Sequence, residues 1–598
     1  MARSDLHVEE IFHTEEKIHQ RHLELPLSNR VFVLVGAVVA ALVLLVIGRS
    51  GYLVFFRGEL YRNRAASNIH SEIIIPAPRG VITDRFDTVL VRNKNSFSVW
   101  LDLPKLLKDA DQLGAVIEIL APLISLPVET IRHQILATDL EREPVIRVAR
   151  DIDVDRAITL KARALSGVQI VDDYTRDYID GPIFAHLVGY GERTGLEGQY
   201  NELLKGKNGR RVVYRDARGA VLGEKQIASP QSGQALKTTV DADLQKYFYD
   251  RLNRGLNELG RTSGVGVALD PRNGDVLALI SLPSFDNNHL ADYLDRPNQP
   301  FFNRAISGEY NPGSAIKPLH ALAALREQIV TPATRYFSSG RLAVPNPYYP
   351  DQPSVFLDWA AHGWVNVVSA LARSSNVYFY HIGGGYDTPE LKTKGLGINK
   401  LNDYWRRFRL GEPTGIDLPF EAAGFLPNPD EKELRTKIPW RLGDTYNVAI
   451  GQGDLLLTPL QLINLVASIG NGGKLFTPRL VRFDDADSPP VFDYSNWSAE
   501  LKAVQQGLID AVAKPYGTAR LIGESGLRAA GKTGSAQVAN NTRTNAFFVG
   551  YAPDGQSGAA PEIAVLVLVE NALEGSLNAV PIARDVLGWY YENRIRRQ

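Results

Sequence analysis

The sequence predicts an α+β protein on a single N-terminal transmembrane helix. A mixed α/β pedestal is expected next, then a larger domain with a central antiparallel sheet flanked by helices. Three observations predict this. An unbroken run of apolar and glycine residues, Val31 to Gly48, lies near the N-terminus. Short β-type runs mix with helical ones from about Arg57 to Gln234. From Leu236 onward, strand signals sit at both ends of the segment with helical patterns between them, as in a sheet assembled from distant pieces. The expected divisions are a tail (1–29), an anchor (30–49), a non-catalytic pedestal (57–235) and a large C-terminal domain (236–598).

The apolar run is bounded by Arg30 and Arg49. Its 18 residues would span about 27 Å as a helix, close to the hydrocarbon thickness of a bilayer. It is longer than the apolar region of a cleaved secretory signal. The aromatic stretch Tyr52-Leu53-Val54-Phe55-Phe56 that follows suits a membrane interface. An uncleaved signal anchor is expected. Lys17, Arg21 and Arg30 precede the run and Arg49, Arg57, Arg62 and Arg64 follow it, so charge does not set its orientation. His7, His13, His19 and His22 belong to the tail and read as part of a solvated polar segment.

Charge is balanced, with 66 Lys+Arg against 67 Asp+Glu, so nothing points to a nucleic-acid partner. The chain has no cysteine, which excludes disulfides, thiol catalysis and Cys-ligated zinc.

Ser71 to Ile75 and Ser96 to Trp100 read as strands, and Ala110 to Leu126 has helical spacing. Gly206, Gly209 and Gly219 punctuate a turn-rich basic stretch with alternating valines. After Thr239, either Asp241 or Asp243 is placed to cap a helix. Val265–Asp270 and Asp275–Ile280 flank Pro271-Arg272-Asn273-Gly274 and predict a hairpin. Asn545–Tyr551 and Ile563–Val569 predict two further strands, and Ile582–Ile595 a closing helix.

Chemistry concentrates in three places. Pro312-Gly313-Ser314-Ala315-Ile316-Lys317-Pro318 opens an apolar helical pattern, and Pro318 is tolerated only in a first turn. Ser314 and Lys317 then share one face, and a lysine of lowered pKa can take a serine's proton. Ser374-Ser375-Asn376 supplies a hydroxyl and an amide. Lys532-Thr533-Gly534-Ser535 begins a strand-like run, where a cation and hydroxyls can hold a carboxylate and Gly534 admits a substrate backbone. The same stretch, Gly526 to Thr533, literally matches a phosphate-binding loop. A strand rather than a helix is expected after it, and fewer than about 70 residues remain for the βαβ units a nucleotidase needs.

In this order the trio is the motif set of β-lactamases and penicillin-binding proteins, and the sequence resembles the penicillin-binding proteins of class B. Tyr310 to Pro318 is similar to their nucleophile segment. His362-Gly363 and Ala370 to Tyr380 are similar to the second motif and its approach. Ile450-Gly451-Gln452-Gly453-Asp454 with Thr458-Pro459-Leu460-Gln461 resembles a transpeptidase block. Pro78 to Arg85 and Gly195 to Tyr200 resemble pedestal blocks, and Gly443 to Asn447 favours the elongation branch, penicillin-binding protein 2, over the division branch. Three positions depart from the pattern. Phe86-Asp87 replaces a common Asn-Gly turn, and Asn545 stands where a histidine often begins a strand. Ser375 stands where some relatives carry a zinc-binding cysteine. No metal or other cofactor is therefore carried over, despite Asp358 and His362 nearby.

The resemblance implies a penicillin-binding/β-lactamase-like transpeptidase domain and a serine-type D-Ala-D-Ala transpeptidase, able to double as a D,D-carboxypeptidase. It would cross-link peptidoglycan stem peptides during cell elongation and would be blocked by β-lactams. Ser314 is the implied nucleophile, Lys317 its base and Ser374 the proton relay. Lys532, Thr533 and Ser535 would hold the terminal carboxylate beside Gly534, and Asn376 the peptide. Backbone N–H groups of Ser314 and Ser535 would form the oxyanion hole. The implied setting is the cytoplasmic (inner) membrane, with the catalytic domain on the periplasmic side, and the implied partners are a SEDS-type glycan polymerase and elongation-complex proteins. The alternative is a β-lactamase or a β-lactam-sensing receptor, against which the long segment from Arg57 to Gln234 argues.

Overall fold

The computed structural model describes residues 29–58, 70–107, 110–139, 145–215, 221–345, 351–388, 391–483, 489–538, 543–556 and 558–596. The N-terminal histidines and Gly219 lie outside them. Contacts divide the chain into two units, Met1–Ile74 with Arg210–Ala228 and Ile75–Gly209 with Ser229–Gln598.

In the first unit the expected anchor is a helix, Asn29–Phe55, of 27 residues with none buried. It is long and apolar enough to cross a membrane, with a mean hydropathy of 3.1. It outruns the expected end at residue 49 because neither Arg49 nor Gly51 interrupts the backbone hydrogen-bond ladder. At about 40 Å it carries the aromatic stretch as far as Phe55, and Tyr52 in its last turn stacks on Phe56 just beyond its end. The valine-alternating stretch forms the strands Gly209–Arg215 and Val221–Ala228, which pair antiparallel. With His70–Ile75 they make a three-stranded sheet.

In the second unit, the long strand Val89–Asp102 pairs antiparallel with Val145–Ile152, Val168–Tyr178 and Ile82–Thr83. The expected helix at 110 runs Ala110–Leu123. Together with Val128–Leu136 and Val154–Arg163 it buries Leu120, Ile131 and Leu160 against Val99, Leu101 and Val148. The two pedestal blocks meet at the buried Glu197, whose carboxylate accepts from Arg79 and Arg176 at 2.6 Å each. Arg176 also donates to the carbonyl of Gly80.

Ile82–Thr83 pairs in parallel with Leu236–Lys237, which leads into the large domain. Helix Ala242–Glu258 follows, and Asp241 is its cap, accepting from the Leu244 N–H at 3.1 Å. Asp243 lies inside the first turn, and Arg594 pairs with both carboxylates. The central sheet has five strands in the order Val276–Leu282, Gly264–Leu269, Ile563–Ala572, Arg543–Ala552, Ala530–Val538, every neighbour antiparallel. Its two ends come from opposite ends of the domain, as expected. Period-2 alternation sends Val265, Val267, Leu566 and Leu568 into one core with helices Lys317–Arg326 and Pro459–Gly470. Ala268, Val565 and Val567 enter another core with Ala242–Glu258 and the closing helix Val580–Tyr590. A sheet covered on both faces reads as continuous apolar runs, and each fully buried Val or Leu contributes roughly 1.5–3 kcal/mol. Helix Pro459–Gly470 is buried along its whole length. Thr458 and Gln461 cap it reciprocally, which gives a physical reason for the Thr-Pro-Leu-Gln block. The closing helix continues past Tyr590 as a wider turn, Tyr591–Ile595.

Candidate active site

Ser314 lies in a single 3-10 turn, Gly313–Ile316, that leads into helix Lys317–Arg326 with Pro318 in the first turn. This turn is clasped from two sides. On one side, the Gly313 N–H donates to Gly451 O at 2.9 Å. Gly451 has φ +76°, and a Cβ there would lie 2.1 Å from Gly313 O. Asn311 donates to Gly453 O and Leu455 O at 2.7 Å each, and Tyr310 and Leu457 exchange backbone hydrogen bonds. The Gly451-Gln452-Gly453 block is thus the seat of the Ser314 turn. On the other side lies strand Ala530–Val538. A Cβ on Gly534 would come within 3.0 Å of Pro312 O, and one on Gly313 within 2.9 Å of Ser535 O.

Lys317 is fully buried. Its Nζ donates to Asn376 Oδ1 at 2.8 Å, to Ser374 O at 2.9 Å and, at 3.4 Å, to Ser374 Oγ, and it stands 5.1 Å from the Phe379 ring centroid. Burial lowers its pKa to about 7, against the opposing pull of Asp358. One turn along, His320 is also buried, and burial lowers its pKa to about 4. It accepts from the Trp405 indole N–H at 2.9 Å, with Nδ1 2.9 Å from Ala449 O. That pair of partners fits a neutral ring protonated on Nδ1, which spares Lys317 a second cation.

Helix Val367–Arg373 ends at Ser374, which takes a left-handed conformation (φ +57°), and Ser375 caps the next helix, Asn376–Gly384. Ser374 and Asn376 therefore project from a tight helix-to-helix corner onto one ammonium. Asn376 Nδ2 donates to Leu357 O at 3.3 Å.

Lys532 is fully buried on the edge strand, and its Nζ donates to Thr533 O at 2.9 Å. Burial, then the charge of Lys317, lowers its pKa well below that of a free lysine. The Thr533 hydroxyl donates to Thr518 Oγ1 at 2.8 Å. Ser535 is exposed, its Oγ accepting from the Gly575 N–H and its carbonyl from Gln452. Gly531 to Ser535 lie in strand, so the phosphate-loop match lacks its helix. Asn545, the residue that departs from a common histidine, accepts from the Asn571 N–H at 3.2 Å.

The structure thus brings Lys317, Ser374 and Asn376 into direct contact, sets Ser314 in a turn against Gly534 and Ser535, and couples the two lysines electrostatically. Asp358, passed over in the sequence as a metal ligand, is the hub of the second motif. Its buried carboxylate accepts from Ser375 Oγ at 2.8 Å, Val377 N at 3.0 Å, Ser338 Oγ at 3.1 Å and Trp359 N at 2.9 Å. His362 Nε2 lies 3.6 Å away. Burial opposes its charge, but His362, the charge of Lys317 and backbone N–H groups hold its pKa well below the usual carboxylate range.

Fold and site are those of a penicillin-binding transpeptidase. The chain matches the penicillin binding protein transpeptidase domain over residues 264–588 and the penicillin-binding protein dimerisation domain over 74–238. It is 30% identical over 625 residues to the peptidoglycan D,D-transpeptidase MrdA of Acinetobacter baumannii, covering 95% of this chain and 88% of that one. It resembles penicillin-binding protein 2 of Helicobacter pylori, solved in complex with MreC, with a TM-score of 0.74 and 26% identity over 88% of this chain and 100% of that one. It also resembles a chain of a peptidoglycan synthase complex that coordinates polymerization and crosslinking, with a TM-score of 0.63 and 27% identity over 94% and 99%. The chain belongs to the penicillin-binding protein 2 family of peptidoglycan D,D-transpeptidases.

Proposed function

We propose that the cross-linking reaction runs through an ester on Ser314. The observation that carries this reading is Lys317, buried, lowered to about 7 and hydrogen-bonded to Ser374 and Asn376. Ser314 Oγ attacks the carbonyl between the two terminal D-alanines as its proton passes to neutral Lys317. Ser374 relays that proton to the departing amine, the C–N bond breaks, and D-alanine leaves. An amine of a second stem peptide then attacks the ester, returns a proton to Ser314 and completes the new amide bond.

The edge strand Ala530–Val538 offers an unpaired side to an extended peptide. Lys532, Thr533 and Ser535 bind its terminal carboxylate, Gly534 lets its backbone come close, and Asn376 orients its amide. Arrival of that carboxylate favours the charged form of Lys532, which disfavours a second proton on Lys317. The N–H groups of Ser314 and Ser535 stabilise the oxyanion, about 3–4 kcal/mol for each donor in comparable sites. β-Lactams enter by the same attack.

We also assign residues 57–235 to the pedestal and 236–598 to the transpeptidase domain, the latter outside the cytoplasmic membrane. Elongation proteins and a SEDS-type glycan polymerase are the partners, a reading supported by the relatives solved with MreC and in a synthase complex. The test is labelling of the full-length protein with a fluorescent penicillin. A covalent adduct is expected on the peptide containing Ser314 and is absent in Ser314→Ala. A label on any other residue, or one that persists in Ser314→Ala, overturns the assignment.

A further inference from the structure

We propose that Asp358 is a positioning residue for acyl transfer: its buried carboxylate pins the Ser374-Ser375-Asn376 corner so that the Ser374 hydroxyl and the Asn376 amide meet Lys317. This rests on the acyl-Ser314 reading and goes beyond it. Three observations support it.

The first is the corner itself. Ser374 holds a left-handed backbone, which costs a non-glycine residue energy and persists only where the surroundings fix it. From the helix before it, Leu371 O accepts the Ser374 N–H and Ala370 O accepts the Ser375 N–H. From the helix after it, only the first turn is available, and Asp358 holds that turn through Ser375 Oγ and Val377 N.

The second is the completeness of the carboxylate's own shell. One oxygen takes Ser375, Val377 and Ser338, and the other takes Trp359 N with His362 at 3.6 Å. Five groups from three stretches of chain converge on a side chain that is fully removed from solvent. A buried charge so satisfied is rigid, and removing it orphans its donors. The Trp359 ring continues the brace outward, its indole N–H donating to Arg373 O beside Ser374.

The third is electrostatic. Asp358 is the one anion among the described groups whose charge acts on Lys317. The other titratable groups coupled to Lys317 are Lys532 on the edge strand and neutral His320 on its own helix. Those coupled to Asp358 itself are His362, Lys317 and Tyr380. Placement and charge are thus both invested in one carboxylate that does not touch the substrate.

The test is Asp358→Asn in the full-length protein, with penicillin acylation followed as a function of pH. The variant keeps the shape and loses the charge. Acylation is expected to fall roughly 100-fold, the loss that about 1 Å of misplacement costs reacting groups. The acid limb of the profile is expected to move to lower pH, because the anion that favours protonated Lys317 is gone. A purely structural role would lower the folded fraction without moving that limb. Wild-type rate and an unmoved limb would overturn the proposal. Should Asp358→Asn fail to fold, Ser375→Ala carries the test: it removes one anchor while leaving the anion, so acylation roughly tenfold slower per folded molecule, with an unmoved limb, is expected. Wild-type acylation by that variant overturns the proposal equally. Failure of the wild type to label at Ser314 would instead sink the underlying mechanism, so the two failures are distinguishable.

Discussion

Lys317 makes the sharpest prediction. A lysine at the ordinary value of 10.5 is neutral in roughly one molecule in three thousand at pH 7. At the value of about 7 that burial imposes, roughly half the molecules carry a neutral base. That difference in readiness corresponds to about 4 kcal/mol, contributed by the pocket before any substrate arrives. If neutral Lys317 takes the proton of Ser314, the second-order acylation rate should rise about tenfold per pH unit below 7 and level off above it. Between pH 5.5 and 8.5 the change amounts to roughly 30-fold. Stopped-flow labelling with a fluorescent penicillin that is stable across this range reads it directly. Lys317→Arg stays protonated throughout and should be slower by about 10³-fold, with the acid limb gone. A rate varying less than about twofold over that range, or a wild-type rate in Lys317→Arg, would refute Lys317 as the base.

Two further outcomes follow from the same geometry. Lys317 releases its proton near 7 in the folded chain and near 10.5 in the unfolded one, so between those values the unfolded state binds more protons and stability rises with pH. Lys317→Met has no such group, so its stability advantage over the wild type should shrink by about 1.4 kcal/mol per pH unit between pH 7.5 and 9.5. Urea unfolding of both proteins measures the difference, and a constant gap would disprove it. Gly451→Ala places a methyl 2.1 Å from Gly313 O at φ +76°. It should cost about 2 kcal/mol or more of stability and about 100-fold in acylation by displacing the nucleophile turn. Wild-type melting and acylation would show that the turn does not depend on that seat.

Much of this site was legible because its chemistry is local in sequence. Ser314 and Lys317 lie one turn apart, Ser374 and Asn376 flank one corner, and Lys532 to Ser535 follow one strand, so short-range patterns found all three. The seat at Gly451 was visible as a block, but its reason, contact with Gly313 O, joins residues far apart in the chain. Asp358 had no such signature. Ser338 comes from one segment and Ser375 with Val377 from another, and only the fold shows that one carboxylate gathers them. The choice between Asp241 and Asp243 as a cap likewise waited on backbone geometry, and the anchor ran on to Phe55 because composition marks where apolarity stops rather than where a helix does. The hairpin of Arg341–Val344 with Ser354–Leu357, which supplies the Leu357 carbonyl to Asn376, escaped the sequence reading because both strands are short and largely exposed.

The central sheet has a consequence for timing. Gly264–Leu269 lies beside Ile563–Ala572, and the lysine-bearing strand joins only through Arg543–Ala552. Pairings of such long sequence separation form late. A nascent chain therefore carries its serine long before it carries the surface against which that serine is aimed. On the acyl-Ser314 reading, synthesis must pass Ala572 before the site is assembled, and a chain that stops short of that point is expected to be inert toward acyl donors.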